Sequence, residues 1–191
     1  MNQTILLKQE HKATKAKIFL APMKDSHISH LIKLAQNPSL IDLLGWNTFF
    51  ELDETEQFIQ AISSYAFPYS CKSQPLAFGV YLDPNALPIG YAVLKGLNTE
   101  LLTTEIGVAI IDQKYGNKGY GKLALKRLVN YAFDELHLKT IGAAILLSNN
   151  SSINMCKNLG FIVKEIMYKS WTMPNGELAD MILMEIHSSN Q

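Results

Sequence analysis

The sequence predicts a single α/β domain: a mixed, mostly antiparallel sheet with flanking helices, in the order β-α-α-β-β-β-α-β-α-β-β. Three observations predict this class. The 191 residues are 48% hydrophobic, which is enough for one substantial core. The apolar spacing changes from helical to extended in the middle of the chain and then back to helical. No Pro/Gly/Ser-rich linker, repeat or low-complexity tract divides the sequence.

The first third is predicted to contain one strand and two helices. "KIFLAPM" (17–23) is a short extended segment. "DSHISHLIKLAQN" (25–37) places its apolar residues on one face and stops before Pro38, as a helix does. The second helix, over 53–66, begins with acidic residues, which suit the positive end of the helix dipole.

The remaining elements follow from the same periodicity. Three hairpin-linked strands are predicted over 75–83, 87–97 and 101–111, because turn residues separate three extended apolar segments. From Gly119 an apolar stripe at helical spacing predicts a long helix. After it come a strand over 140–147, a short helix over 151–158 and a final hairpin of 161–171 and 179–187.

Charge and cysteine content narrow the function classes. Lys+Arg and Asp+Glu are balanced at 17 each, so no overall field favours nucleic acid or an anionic membrane. Cys71 and Cys156 have no neighbouring Cys or His that would suggest a disulfide framework or a zinc site, so we expect a reduced, cytoplasmic setting. Residues 1–16 have too short an apolar run for a signal peptide and are expected to form an N-terminal arm.

The stretch "GNKGYGKLA" (116–124) resembles a phosphate-binding loop at a helix start, where unpaired N–H groups and glycines allow a phosphate to approach. Three ligands are considered. A magnesium nucleotide is disfavoured because Leu123 stands where a P-loop needs Ser or Thr. A dinucleotide is disfavoured because the loop follows several strands and the next strand ends in Ser148 instead of an acidic residue. A coenzyme A pyrophosphate requires neither feature.

Two segments carry a family resemblance. "EIGVAIIDQKYGNKGYGKLALKRLVNYAF" (105–133) with "NNSSINMCKNLGF" (149–161) resembles the GNAT acetyltransferase superfamily, especially its ribosomal-protein-alanine N-acetyltransferase-like branch. The closing "NGELADMILMEI" (175–186) extends the resemblance to about residues 17–187. It implies one acetyltransferase domain over 17–187 with a GNAT-type sheet, and acetyl-CoA as co-substrate with no metal.

The resemblance also implies which residues bind the cofactor. The family's loop glycines fall on Gly119 and Gly121, and its leading Arg or Gln falls on Gly116, so backbone N–H groups would bind the phosphates. Lys118 and Lys122 either add charge there or are simply solvated. The strand before the loop would pair with the pantetheine arm. The implied set is Ala109, Ile110, Ile111, Gly116, Asn117, Lys118, Gly119, Tyr120, Gly121, Lys122 and Asn149.

Two catalytic residues are implied in the same way. Glu105 falls where several relatives carry a general base, and its apolar neighbours would raise its pKa by desolvation. The alternative is an edge-facing Glu that pairs with solvent or a Lys. The family's frequent acid, a Tyr, falls on Cys156, whose thiol either donates the proton or packs as a small apolar group. Tyr115 is another proton donor considered.

Other residues are assigned more ordinary roles. The segment 45–54 contains Glu51, Asp53 and Glu54, which could attract a cationic amine, but aromatic core with an acidic helix start is preferred. Tyr168 and Trp171 are similar candidates for the opposite wall of an acceptor cleft. His27 and His30 are predicted to be exposed helix histidines instead of metal ligands, because no third ligand is apparent.

The predicted function is an acetyl-CoA-dependent N-acetyltransferase that acts on a primary amine by direct attack in a ternary complex. The acceptor is a protein N-terminus or a small-molecule amine, and neither nucleic acid nor a membrane is an expected partner. The alternative is a catalytically weak coenzyme A-binding module, suggested by Gly116 and Cys156, which depart from the family pattern. A monomer or homodimer is expected.

Overall fold

The computed structural model describes residues 17–37, 40, 58, 62 and 76–188, and its elements follow the predicted order. Within these ranges the strands are β1 Phe19–Ala21, β2 Leu76–Tyr81, β3 Gly90–Asn98, β4 Thr103–Ile110, β5 Thr140–Leu146, β6 Ile162–Thr172 and β7 Leu178–His187. The helices are α1 Asp25–Ala35, α2 Tyr120–Asn130 and α3 Asn150–Lys157. Most of the helix predicted over 53–66 lies outside the described residues, as do Glu51, Asp53 and Glu54.

The seven strands form one mixed sheet in the order β1-β2-β3-β4-β5-β7-β6. All neighbours are antiparallel except β4 and β5, which run parallel because α2 connects them as a crossover. This arrangement confirms the predicted fold class. The one parallel pair also places the glycine-rich loop at the carboxyl end of β4, in the middle of the sheet.

Alternating side chains of the strands build a separate core on each face of the sheet. On β3, Ala92 and Leu94 belong to the core beneath α2 and α3, whereas Tyr91 and Val93 belong to the core beneath α1. The predicted apolar stripe is buried in the first of these cores, at Leu125, Leu128 and Val129 of α2 and at Ala132 in the π-helical turn Tyr131–Glu135 that continues it. The second face is called the α1 face below.

Two predictions about individual side chains are corrected. His27 and His30 are both half-buried and not exposed; the Nδ1 of His27 lies 2.8 Å from the hydroxyl of Tyr81, and its ring packs against that phenol. The edge-facing part of the alternative for Glu105 is wrong, because this residue lies in the centre of the sheet and is only 5% exposed, but its pairing with a lysine is confirmed at Lys95.

Candidate active site

The central feature of the site is the separation of β4 from β5. The two strands pair only at Thr103 with Thr140, Thr104 with Ile141 and Glu105 with Gly142. Beyond Glu105, β4 continues to Ile110 beside β3, while β5 remains paired with β7. The separation leaves the far edge of β4 without a strand neighbour in the described sheet, so its backbone can hydrogen-bond to an extended ligand.

A cleft of about 800 Å³ occupies this gap and the space below the loop that follows β4. The strand side is lined by Val108, Ala109 and Ile110. The loop and helix sides are lined by Leu40, Gln113, Tyr115, Gly116, Asn117, Gly119, Tyr120, Gly121, Lys122, Asn149, Ser151, Ser152, Asn154, Met155 and Asn158. The cleft therefore brings together most of the residues that the sequence implied for cofactor binding.

The loop presents backbone N–H groups to the cleft. Asp112 caps a 3₁₀ turn over Gln113–Tyr115, and the chain then passes through Asn117 and Gly119, which both have positive φ. Gly119 is the N-cap of α2 at φ +81° and supplies no side-chain cap. The first N–H groups of α2 thus have no capping side chain from Gly119 and carry the positive end of the helix dipole, which suits a phosphate group.

The geometry of Gly116 explains the missing side chain at that position. A Cβ built on Gly116 would lie 3.2 Å from the carbonyl oxygen of Gln113, the same oxygen that accepts the Gly116 N–H at 3.0 Å. A side chain there would press on the hydrogen bond that closes the turn. Gly121 is less restricted, because its Cβ would meet Met155 Sδ at 3.6 Å and Ile110 Cγ1 at 3.7 Å, both ordinary contacts.

Asn149 connects the cleft to α3. Its Oδ1 accepts a hydrogen bond from the backbone N–H of Ser152 at 3.1 Å, so it caps the helix. The residue is buried and also lines the cleft. Asn149 therefore fixes the position of the helix that forms the second wall.

Glu105 lies where β4 and β5 separate, on the α1 face. Lys95 stands opposite it on β3, and the Lys95 Nζ is 2.8 Å from Glu105 Oε1. The other oxygen, Oε2, is buried with no hydrogen-bond partner among the described residues. Burial raises the pKa of the Glu105 carboxyl, and the ammonium of Lys95 opposes this with a smaller lowering effect.

A second ion pair lies further along the same face. Glu105 and Glu185 both stand opposite Gly142, one on each side of β5, and Glu185 pairs with Lys164 of β6. We call Lys95, Glu105, Glu185 and Lys164 the charged row. Gly142 carries no side chain, and the strands of the two carboxylates are about 10 Å apart at the usual strand spacing.

The sequence indicated Glu105 but not the other three members of the charged row. Their pairing depends on the register between strands, which no motif records. The available signal was a charged residue inside an otherwise apolar strand, as in Lys95 of "YAVLKGL" and Glu185 of "MILMEIH". A buried charge of this kind is expected to have a partner of opposite charge.

Four of the predicted site residues do not line the cleft. Ile111 is buried in the core beneath α1, and Lys118 places its Nζ 5.8 Å from the ring centre of Tyr115. Glu105 lies beyond the closed end of the gap. Cys156 is 3% exposed in the other core, and burial raises the pKa of its thiol to about 12.

The candidate donors for the acidic role therefore differ in position. Tyr115 and Tyr120 line the cleft with their rings packed edge to face, 6.0 Å between centres. The thiol of Cys156 is held in the core and has a raised pKa, which favours the packing role.

Tyr168 and Trp171, the candidates for one wall of an acceptor cleft, both lie on β6 at one edge of the sheet. Tyr168 is 73% exposed.

The mixed sheet thus opens between its two parallel strands, and a helix start suited to a phosphate group follows β4. The chain belongs to the acetyltransferase (GNAT) domain family, whose model matches residues 17–162. It is an acetyl-CoA-dependent N-acetyltransferase of the GNAT type.

Named relatives and solved structures agree with this assignment. The chain is 23% identical over 150 residues to an uncharacterized N-acetyltransferase p20 of Bacillus licheniformis, covering 78% of this chain and 81% of that protein. It is 23% identical over 169 residues to the FsC-acetyl coenzyme A-N(2)-transacetylase of Aspergillus fumigatus, covering 83% and 68%. A spermidine N-acetyltransferase from Vibrio cholerae, solved with CoA and spermine, has the same fold: TM-score 0.71 at 20% identity, covering 92% and 98%.

These matches confirm the predicted family but not its ribosomal-protein-alanine branch. In the part of the chain that the structure describes, no helix is long and apolar enough to cross a membrane.

Proposed function

We propose that this enzyme acetylates a primary amine by direct attack in a ternary complex, with Glu105 as the general base. One observation carries the proposal: a buried carboxylate with one oxygen unpartnered among the described residues stands where β4 and β5 separate. An ammonium must lose a proton before it can attack, and Glu105 Oε2 is the proposed acceptor of that proton, directly or through water.

The cleft residues support the placement of the co-substrate. Backbone N–H groups over 117–122 suit the pyrophosphate, and the open edge of β4 at Val108, Ala109 and Ile110 suits the amide groups of the pantetheine arm. Acetyl-CoA supplies the activated acetyl group when bound. A strand N–H near Ile110 is proposed to stabilise negative charge on the thioester oxygen.

The proton for the departing thiolate is proposed to come from Tyr115 or from solvent. Tyr115 lines the cleft, whereas Cys156 is buried in the core with a thiol pKa raised to about 12. Such a thiol is a weak acid, so we assign Cys156 to packing. This choice leaves the reaction free of a covalent enzyme intermediate.

A small-molecule amine is the acceptor class that the named relatives favour. Two of them are named for acetylating spermidine and the N(2) position of FsC. A protein N-terminus, which the resemblance to the ribosomal-protein-alanine branch suggested, is the other class. We further propose a catalytic domain over 17–187 in a cytoplasmic monomer or homodimer; one related structure from Vibrio cholerae is dodecameric, so light scattering should accompany the assays.

The experiment measures acetyl-CoA binding by calorimetry and acetyl transfer to a panel of amines and N-terminal peptides. We expect binding, transfer to at least one amine, and intersecting initial-rate plots, as a ternary complex requires. Gly121→Trp should block binding because it fills the cleft between Ile110 and Met155. Lys126→Trp is the matched control, since Lys126 is exposed on the same helix and does not line the cleft.

The outcomes separate the two functions considered. Binding that Gly121→Trp abolishes, without transfer to any acceptor, would support a coenzyme A-binding module instead. Parallel initial-rate plots with a stable acetylated enzyme would rule out direct attack. Binding that survives in Gly121→Trp would place the cofactor elsewhere.

A further inference from the structure

The partner of Glu105 is fixed by the backbone of β3. Lys95 and Glu105 are the last aligned pair before a register shift, after which the next aligned pair is Asn98 with Thr103. Gly96 has φ +58° at this irregularity, and the Thr104 hydroxyl donates to the Lys95 carbonyl at 2.9 Å. These features hold Lys95 directly across from Glu105, and each side chain is no more than 12% exposed.

The two carboxylate oxygens of Glu105 have different surroundings. Lys95 Nζ lies at Oε1, whereas Oε2 is buried with no hydrogen-bond partner in the described part of the chain. The neighbouring positions on the α1 face are Gly107 along β4 and Gly142 across on β5, and neither adds a polar side chain that could bond to Oε2. One oxygen is therefore held by Lys95, and the other is left without a partner among the described residues.

We propose that Lys95 is a positioning residue that keeps Glu105 ionised and directs Oε2 toward the acceptor amine. The inference rests on the proposed role of Glu105 as base. A carboxylate this deeply buried is expected to hold its proton at neutral pH unless a cation stabilises the charged form. A base must be unprotonated before the reaction begins, so the cation makes the carboxylate usable near neutral pH.

The other titratable groups named on this face do not stand directly opposite Glu105, as Lys95 does. Tyr91 lies further along the α1 face, opposite Ala109, and burial raises the pKa of its phenol. Glu185 lies beyond Gly142 and is paired with Lys164, while His187 Nε2 is 4.0 Å from Glu185 Oε2. The strands of Glu105 and Glu185 are about 10 Å apart, so the field of this second pair at Glu105 is weaker than that of Lys95.

The first test is the pH profile of kcat/KM for acetyl transfer. Lys95→Met should move the acidic limb upward by about 1–3 pH units, the usual effect of one close opposite charge. Transfer at pH 7 should fall about tenfold or more and recover at higher pH, while acetyl-CoA binding is retained. Lys95→Arg should keep the wild-type limb. A purely structural role predicts a loss that is equal at every pH.

Lys164→Met is the matched control because it removes the lysine of the other ion pair on the same face. We expect a clearly smaller displacement of the acidic limb. An equal displacement would overturn the proposal, because any lysine on this face would then have the same effect. An unchanged limb in Lys95→Met would overturn it as well.

The second test needs no acceptor and works on the wild-type enzyme. Carbon NMR of protein labelled at its glutamate carboxyl carbons follows each carboxyl through its titration, and Glu105→Gln identifies the Glu105 signal. We expect Glu105 to be ionised at pH 7 in the wild type and to titrate at higher pH in Lys95→Met. Protonated Glu105 in the wild type at pH 7 would refute the proposal even if Lys95→Met fails to fold.

The results distinguish an error in the role of Lys95 from an error in the proposed function. If Glu105→Gln transfers acetyl groups as well as the wild type, Glu105 is not the base, whatever its ionisation. If Glu105→Gln is inactive but Lys95→Met changes neither the pH limb nor the NMR titration, the base assignment stands and the role of Lys95 is wrong.

Discussion

The cofactor cleft and the charged row are built from different parts of the chain. The cleft is made largely of backbone: a strand edge that lacks a neighbour, two residues with positive φ and the start of α2. The charged row consists of side chains on separate strands, held opposite one another by sheet register. A backbone site tolerates the loss of a side chain, as at Gly116, whereas the charged row depends on each carboxylate and ammonium.

The largest effect on acetyl transfer is expected in the charged row, where the side chains themselves are needed. Glu105→Gln keeps the shape of the side chain but removes the proposed base, so transfer should fall about 10²- to 10⁴-fold. Acetyl-CoA affinity should remain within about twofold of the wild type, because the cleft does not include this residue. Steady-state kinetics and calorimetry on the same preparation measure both quantities.

Glu185→Gln is the control for the loss of a buried carboxylate on the same face. It removes the partner of Lys164 but leaves Glu105 in place, so its effect on transfer should be much smaller. Equal losses in the two variants would mean that the charged row acts as one structural unit. The contrast between a catalytic and a supporting carboxylate would then be lost.

An intermediate effect is expected in the cleft, where two glycines have different roles. Gly119 has φ +81° with open space around it, so Gly119→Ala should cost about 1–2 kcal/mol through backbone strain alone. Gly121 has helical backbone and room for a methyl group, so Gly121→Ala should stabilise α2 by about 0.5–1 kcal/mol. Urea denaturation measures these opposite changes in the free energy of unfolding.

Coenzyme A affinity provides the second measurement on this pair. Gly119→Ala should weaken binding by up to about tenfold, the equivalent of 1.4 kcal/mol, if part of the strain is relieved by moving the loop. Gly121→Ala should bind nearly as well as the wild type. Similar losses in both would show that the loop needs close approach of phosphate at both glycines, and that the left-handed conformation of Gly119 is not the limiting feature.

The same division explains what the sequence could predict. The order of strands and helices follows from local periodicity, and the loop glycines follow from the local geometry of a helix start. Most of the residues predicted to bind the cofactor therefore come from contiguous segments, and most of them line the cleft. At Gly116 a carbonyl oxygen lies 3.2 Å from the position that a Cβ would occupy. This contact could not be predicted from the sequence because it depends on the exact path of the turn.

The charged row could not be predicted in the same way. A shift of one residue in the pairing of β3 with β4 would move Lys95 to the opposite face from Glu105. The register shift beyond Lys95 has no clear marker in the sequence other than Gly96. The sequence therefore indicated a carboxylate with a raised pKa, but not the lysine that opposes that rise.

The smallest expected effect concerns Cys156, which belongs to neither region although the resemblance placed it in the active site. Burial raises the pKa of its thiol from 9.0 to about 12, so the native protein holds this proton more tightly than the unfolded chain does. Its contribution to stability is present below pH 9 and is lost as the pH rises toward 12.

Cys156→Ala should leave transfer unchanged and should lose less stability than the wild type between pH 9 and pH 12. Unfolding curves across this range test the thiol directly, since the buried tyrosines titrate in both proteins. A large loss of transfer in Cys156→Ala, with cofactor binding intact, would return Cys156 to the catalytic machinery and extend the side-chain-dependent part of the site to the α3 side of the cleft.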